Sequence, residues 1–254
     1  MMPAMSDHDA LTLPGARAER LASARCVILP LGSLEYHGPH APLGVDTTLA
    51  LGFARALAER SDAVVLPAIS YTFASTLTSQ RPGTLSVAPE PFLAYLVEVL
   101  RALARQGVRR IVALNAHSEN QFALRLAAER LAFEEPAVSV LIVNWWKLVE
   151  PGDTPSFGDA GGHGHGGPVE VSTTAAFDAR GVLSEAAADI AYEAPWWRGA
   201  AQVVGAGQAP IGFDGYHGRV SEVDATAGRV IVDAVVPRLA QLVDDWLDRA
   251  AARA

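Results

Sequence analysis

Residues 26–61 read CVILPLGSLEYHGPHAPLGVDTTLALGFARALAERS, and the order of patterns within them decides the fold class. The first six residues, 26–31, are a nearly unbroken apolar run that stops at Gly32. Such a run fits a strand covered on both faces, as strands of parallel sheets are. A polar turn rich in Gly and Pro follows, and residues 47–61 then have helical composition.

The same alternation continues downstream. Residues 63–69 (AVVLPAI) predict a second buried strand, residues 70–81 a loop, Pro82-Gly83 a turn, and residues 84–87 a short strand. Residues 89–106 predict an amphipathic helix with Phe92, Tyr95, Leu96, Val99, Leu100 and Leu103 on one stripe and Gly107 as its C-cap. Strands are expected at 110–114 and 137–144, with a helix at 119–133 between them. Residues 152–167 read as a glycine-rich loop, and a helix opens at Pro168 and runs to Phe177. A helix is expected at 183–193, irregular chain at 194–218 and a long helix at 224–253. Strands alternating with helices define an α/β chain with a largely parallel sheet. Ligands of such sheets sit at the carboxyl ends of the strands.

Composition narrows the function classes. The 254 residues suit one large domain or two small ones, and 50% hydrophobic with 19% charged residues is ordinary for a globular enzyme. A net charge of −8 with scattered arginines repels nucleic acid. Cys26 is the only cysteine, so no intrachain disulfide forms. The acidic, mixed N-terminal stretch does not read as a signal peptide, and no apolar run reaches the ~18 residues of a membrane helix. The expectation is a soluble, cytoplasmic protein acting on a small molecule, with no nucleic-acid or membrane partner.

Three clusters of metal-ligand residue types follow predicted strands or lie in the glycine-rich loop. In the first, Glu35 and His37 are two apart, on one side of an extended segment, and Asp46 opens the next helix. Two carboxylates and an imidazole suit a divalent ion such as Zn or Mn; Asp46 reads equally as an N-cap. In the second, His117 and Glu119 repeat the spacing directly after a strand, where a charged pair is costly unless bound to something. Glu119 and Asn120 read equally as helix-capping residues. The third is GHGHGGPVE, residues 162–170. His165 there suits general acid–base work, with Glu170 to orient it; the alternative is a surface loop that happens to be rich in histidine.

Taken together, LPLGSLEYHGPHAPLGVD (29–46), PGTLS (82–86), NAHSEN (115–120), HGGPVEVS (165–172), Gly218 and 225–228 resemble the creatininase family of creatinine amidohydrolases, in family order along nearly the whole chain. The resemblance implies a single three-layer α/β/α domain over residues 1–254 that assembles as a homo-oligomer, a hexamer in known members. It implies one metal held by Glu35, Asp46 and His117 and a second held by His37, Asp46 and Glu119, with Asp46 shared. The implied activity is hydrolysis of a small cyclic or linear amide bond by a hydroxide bridging two Zn or Mn ions, with His165, Glu170 and Glu119 as proton-handling groups. Tyr36, Ser118 and Trp146 are the candidate substrate-binding residues, Tyr36 and Asn120 also standing as supports behind the ligands; Trp145 or Trp146 is equally suited to the core. Short-peptide cleavage, deformylation and ring-ketone hydrolysis are alternative uses of the same site, and a metal-binding oligomer without catalysis is a further one. No Gly-x-Gly-x-x-Gly or Walker-type motif supports a nucleotide-binding reading. Ser118 and Gly161 stand where creatinine-hydrolysing relatives carry aromatic residues, which points to a wider or more polar pocket and a substrate other than creatinine.

Overall fold

A computed structural model describes residues 8–157, 164–190, 204–205, 209 and 212–251. The sheet has four strands: β1 (Cys26–Leu31), β2 (Ala63–Val65), β3 (Arg110–Asn115) and β4 (Ser139–Asn144). Their order is β2-β1-β3-β4 and every pairing is parallel. A short α1 (Arg20–Ser23) precedes β1, and α2 (Val45–Ala58), α3 (Pro89–Arg105) and α4 (Asn120–Glu134) form the crossovers. Two further helices, α5 (Pro168–Phe177) and α6 (Ala225–Ala251), follow β4.

Strand periodicity divides the core into two apolar layers. Cys26 and Ile28 of β1, with Val112 and Leu114 of β3, pack with α2 and α6 residues on one face. Val27, Leu29 and Leu31, with Ile111 and Ala113, pack with α3 and α4 residues on the other. The result is the expected three-layer α/β/α arrangement. All six residues of β1 are buried, which is why that strand reads as an unbroken apolar run.

Three local expectations need correction. Residues 84–87 belong to no strand; their backbone bonds go to loops, with Leu85 N–H donating to the Leu34 carbonyl (3.0 Å) and Val87 N–H to Thr72 (2.8 Å). The predicted helix at 183–193 is a 3-10 turn over Ser184–Ala186 and then a single antiparallel bridge between Ile190 and Gly218. Asp189 is drawn to Ser221, whose N–H and hydroxyl both donate to it, so tertiary bonding overrides local helix propensity; residues 191–193 lie outside the described residues. Tyr95 leaves the predicted α3 stripe and is 52% exposed, while Val97 and Ala104 are buried instead.

This topology positions the site. The crossover from β1 leads to β2 on one side and that from β3 leads to β4 on the other, so the connections diverge between β1 and β3. The crevice at the carboxyl ends of those two strands is where open α/β sheets bind ligands. Both motif-bearing segments, 32–46 and 115–120, leave from it.

Candidate metal centre

Glycine sets the entry to the site. A Cβ at Gly32 would overlap the backbone of Thr47, so only glycine lets the end of β1 pass this close to the start of α2. That approach brings Asp46, in the first turn of α2, beside Glu35 and His37. Gly44 occupies the N-cap of α2, so Asp46 does not cap the helix with its side chain. Glu119 stands at the N-cap position of α4 but makes no capping bond either.

Four candidate ligands are almost wholly removed from solvent: Glu35 (2% exposed), His37 (0%), Asp46 (1%) and His117 (4%). Burying two carboxylates without compensation is costly. His117 Nδ1 lies 3.0 Å from Glu35 Oε2 and 3.1 Å from Asp46 Oδ2. His37 Nε2 lies 3.3 Å from Asp46 Oδ1 and 3.7 Å from Glu170 Oε2. Asp46 therefore offers one oxygen to each histidine, which is the placement a shared carboxylate needs.

The histidine tautomers are decided by the backbone. His37 Nδ1 donates to the Glu35 carbonyl (2.9 Å), His117 Nε2 to Phe73 (2.9 Å) and His165 Nε2 to Tyr36 (2.8 Å). Each ring commits one N–H to a carbonyl, the arrangement that orients metal-binding histidines. In the neutral ring the other nitrogen carries a lone pair, and in His37 and His117 it faces carboxylate oxygens. Lone pairs facing anions repel unless a proton or a cation lies between them. With protons alone, burial pushes His37 down, but Asp46 and Glu170 outweigh it and hold the ring at about 10. Burial likewise lowers His117, and Glu35 and Asp46 raise it well above the ordinary value. Burial raises Glu35, yet His165 and His117 pull it to about 2. A donor set that demands positive charge this strongly, with mixed O and N ligands, fits divalent cations such as Zn or Mn.

Three triads of ligand atoms lie within 4.8 Å of one another: Glu35–Asp46–His117, His37–Asp46–Glu170 and Glu35–His37–His165. The first is the triad expected from the sequence. The second differs: Glu170 rather than Glu119 joins His37 and Asp46, and Glu119 belongs to none of the triads among the described residues. The reason is geometric. Glu119 leaves β3 two residues after His117 and feels His117 and Glu35, while Glu170 is brought across on the first turn of α5. Burial, together with repulsion from Glu35, raises the Glu119 carboxyl despite His117. Burial pushes Glu170 up to about 7, with His37 opposing and Asp46 adding to the rise.

Supporting groups hold the ligands. Ser33 Oγ donates to Asp46 Oδ2 (2.6 Å), and the Thr78 hydroxyl donates to Glu35 Oε1. Asn120 Nδ2 donates to the Gly32 carbonyl (2.9 Å) and to Asn115 Oδ1 (3.2 Å), tying α4 to the ends of β1 and β3. Ser33 and Thr78 escaped sequence reading; a hydroxyl two residues before Glu35 is a weak signal, and Thr78 lies in a loop with none.

A cavity of about 280 Å³ opens over the ligands, lined by Asp46, His117, Ser118, Trp146, His165 and Glu170, with Ala116, Trp145, Gly164 and Val169. Trp145 is core, stacked on Phe53 with ring centroids 5.3 Å apart, whereas Trp146 is half-buried beside the cavity. Tyr36 is absent from this lining and contributes its backbone carbonyl to His165 instead. His165 stacks on His37 at 4.1 Å, and burial, with His37 beside it, lowers it to about 4. Gly161 and His163 lie outside the described residues.

A family model described as creatinine amidohydrolase matches residues 9–243. A 3-dehydro-scyllo-inosose hydrolase of Thermotoga maritima is 34% identical over 134 residues, 52% of this chain and 42% of that protein. A creatinine amidohydrolase of Pseudomonas putida is 33% identical over 141 residues, 52% of this chain and 54% of that one. The matched stretches thus span about half the length of these curated relatives. A mycofactocin precursor peptide peptidase of Mycobacterium ulcerans is 30% identical over 239 residues, 89% of this chain and 84% of that one. Among solved structures, a creatininase described as the Mn form superposes with a TM-score of 0.82 at 26% identity, over 95% of this chain and 99% of that one. A mutant creatininase of Zn-Zn type gives 0.82 at 25% identity, over 96% and 99%.

Proposed function

The chain belongs to the creatinine amidohydrolase family, and from that premise we propose that it hydrolyses a small amide C–N bond with two divalent ions, Zn or Mn. The observation that carries this reading is the pair of buried histidines whose tautomers, set by backbone carbonyls, aim lone pairs at carboxylates. Glu35, Asp46 and His117 would hold one ion, and His37, Asp46 and Glu170 the other. Bound there, the ions would supply Lewis acidity that polarises a carbonyl and acidifies water.

The protein's own groups divide the remaining work. Ser33 and Thr78 hold the two carboxylates in place, so little reorganisation accompanies reaction. His165 lines the cavity, spends Nε2–H on Tyr36 and leaves Nδ1 unprotonated, so that it would first take a proton from the attacking water and then pass it on. It is the group we assign to carry a proton to the leaving nitrogen. Glu119, with its raised carboxyl beside His117, is the second proton-handling group. Trp146, Ala116 and Val169 offer an apolar wall to the substrate body, and Ser118 a polar one. Ser118 in place of an aromatic favours an amide other than creatinine. The peptidase relative, which aligns over 89% of the chain, favours a short peptide tail as a second reading; ring-ketone cleavage follows the inosose hydrolase.

The test is a panel of creatinine, other cyclic and linear amides, formamides and short peptides, offered to Zn- and Mn-loaded protein. Hydrolysis of at least one amide that disappears on chelation and returns with metal is expected. His165→Ala should keep both ions and slow turnover by roughly 10²–10⁴. A chain that never takes up a second ion under saturating Zn or Mn would refute the two-ion reading.

A further inference from the structure

We infer that His217 is a positioning residue that fixes His165 from behind, by closing the 164–166 loop against the 213–218 segment. The inference rests on the reading of His165 as the group that serves the leaving nitrogen.

His165 needs such a brace. It sits between Gly164 (φ +122°) and Gly166 (φ +65°), both in conformations that favour glycine. A loop of this composition has many backbone states open to it, and fixing one of them is costly in entropy. The imidazole is held by its Nε2–H bond to the Tyr36 carbonyl (2.8 Å) and by its stack on His37.

His217 grips the loop twice. Its backbone N–H donates to the His165 carbonyl at 3.2 Å. Its ring lies on Gly164, where a Cβ would fall 1.8 Å from Nε2. The imidazole therefore fills the volume that a side chain on residue 164 would take. Tyr216 does the same at Gly166, where a Cβ would come within 2.6 Å of the tyrosine Cβ. Phe213 stands beside both imidazoles, its centroid 5.8 Å from that of His217 and 6.2 Å from that of His165.

The brace is anchored on its far side. Gly218 and Ile190 exchange two backbone bonds (2.8 and 3.0 Å), the Tyr216 hydroxyl donates to the Ala188 carbonyl (3.0 Å), and Arg81 pairs with Asp214 (2.6 Å). Gly215 lies against the Tyr36 ring, which a Cβ there would overlap. The segment that holds the His165 carbonyl thus also packs on the residue that accepts the His165 Nε2–H, so one piece of chain fixes both ends of that bond. His217 itself is 8% exposed and absent from the described cavity lining, so it acts through His165 and not on substrate.

Magic-angle-spinning 15N spectra of the histidine-labelled, Zn-loaded full chain report the tautomer of each ring, and the His165 signal is identified by its loss in His165→Ala. His217→Ala keeps the backbone N–H but empties the space on Gly164. His217→Gln refills it, with an amide nitrogen the same number of bonds from Cα as Nε2. Wild type is expected to show His165 as the Nε2–H tautomer alone, and His217→Ala to divide it between two tautomers at unchanged Zn content. On the panel amide that wild type turns over fastest, His217→Ala should lower kcat by about 10–100-fold with KM little changed, the size of effect that misplacing a reacting group produces. His217→Gln is expected to recover the single tautomer and most of the rate. An undivided His165 signal in His217→Ala, a His217→Gln as impaired as His217→Ala, or loss of Zn along with the tautomer would each overturn the inference. If His217→Ala fails to fold, His217→Asn, whose amide stops one bond short of Gly164, replaces it with the same expectations. A His165→Ala chain as fast as wild type refutes the proton-carrier reading together with this inference; a slow His165→Ala beside an unaffected His217→Ala refutes this inference alone.

Discussion

At the scale of single residues, Asp46 and the two outlying glutamates carry the clearest consequences. Asp46 gives one oxygen to the His37 side and the other to the His117 side. Asp46→Ala is therefore expected to abolish binding of both ions, read by metal analysis after dialysis. Glu170→Gln should lose the second ion and keep the first, whereas Glu119→Gln should cost turnover more than second-ion binding. The reverse pattern would reinstate Glu119 in the second triad.

The histidines also give the metal-free chain a pH signature. His37 is held at about 10 against an ordinary 6.5, with Asp46 and Glu170 overcoming the burial that would lower it. A folded value above the unfolded one stabilises fully below 6.5, and that contribution is lost as pH rises toward about 10. Glu170, raised by burial to about 7 from 4.5, acts in the same direction over its own window. The chelated protein should show a falling Tm between pH 6.5 and 10. The metal-loaded protein should not, because cations stand where the protons were. A flat profile in chelator would show that the imidazoles are not facing bare carboxylates.

At the scale of elements, glycines mark where helices approach too closely for any side chain. α5 and α6 pack along each other, and a Cβ at Gly228 would overlap the Ser172 carbonyl of α5. Gly228→Ala is expected to destabilise by about 1–3 kcal/mol through forced separation of the two helices. Denaturant midpoints measure the loss. Because Ser172 lies two residues after Glu170 on α5, the same separation is expected to weaken metal binding, read by metal analysis. An unchanged midpoint would mean the two helices can slide apart freely. The same logic at Gly32 links strand to helix and, through it, Glu35 to Asp46.

At the scale of the whole molecule, the outer face of α4 presents apolar side chains to solvent. Phe122, Leu126 and Phe133 recur on one helical stripe and are 53%, 59% and 89% exposed. Exposed apolar stripes of this kind mark association surfaces. We propose that the chain assembles with copies of itself, as the family resemblance implies, and that this stripe takes part. Light scattering should give a multiple of 26.8 kDa, and Phe133→Asp should lower it without unfolding the chain. A monomeric wild type would refute the assembly, and an unchanged variant would move the contact elsewhere. Among the described residues, no helix is long and apolar enough to cross a membrane.

The four sheet strands, helices α2 to α6 and the first triad were legible in outline in the chain itself. Buried parallel strands must be apolar throughout, so CVILPL and its successors announce a layered sheet, and ligands placed just past strand ends must meet at one rim. That reasoning reached Glu35, His37 and His117, which follow their strands closely in sequence, and Asp46, which opens the helix after β1. It gave Glu119 to the second ion and Glu170 to His165, whereas in the structure Glu170 is the carboxylate grouped with His37 and Asp46, because α5 delivers it from the opposite direction. Nor could it find Thr78 or the Phe73 carbonyl. Their roles come from loops folded against each other across 43 and 44 residues of chain, a distance at which local pattern carries no information and packing alone decides.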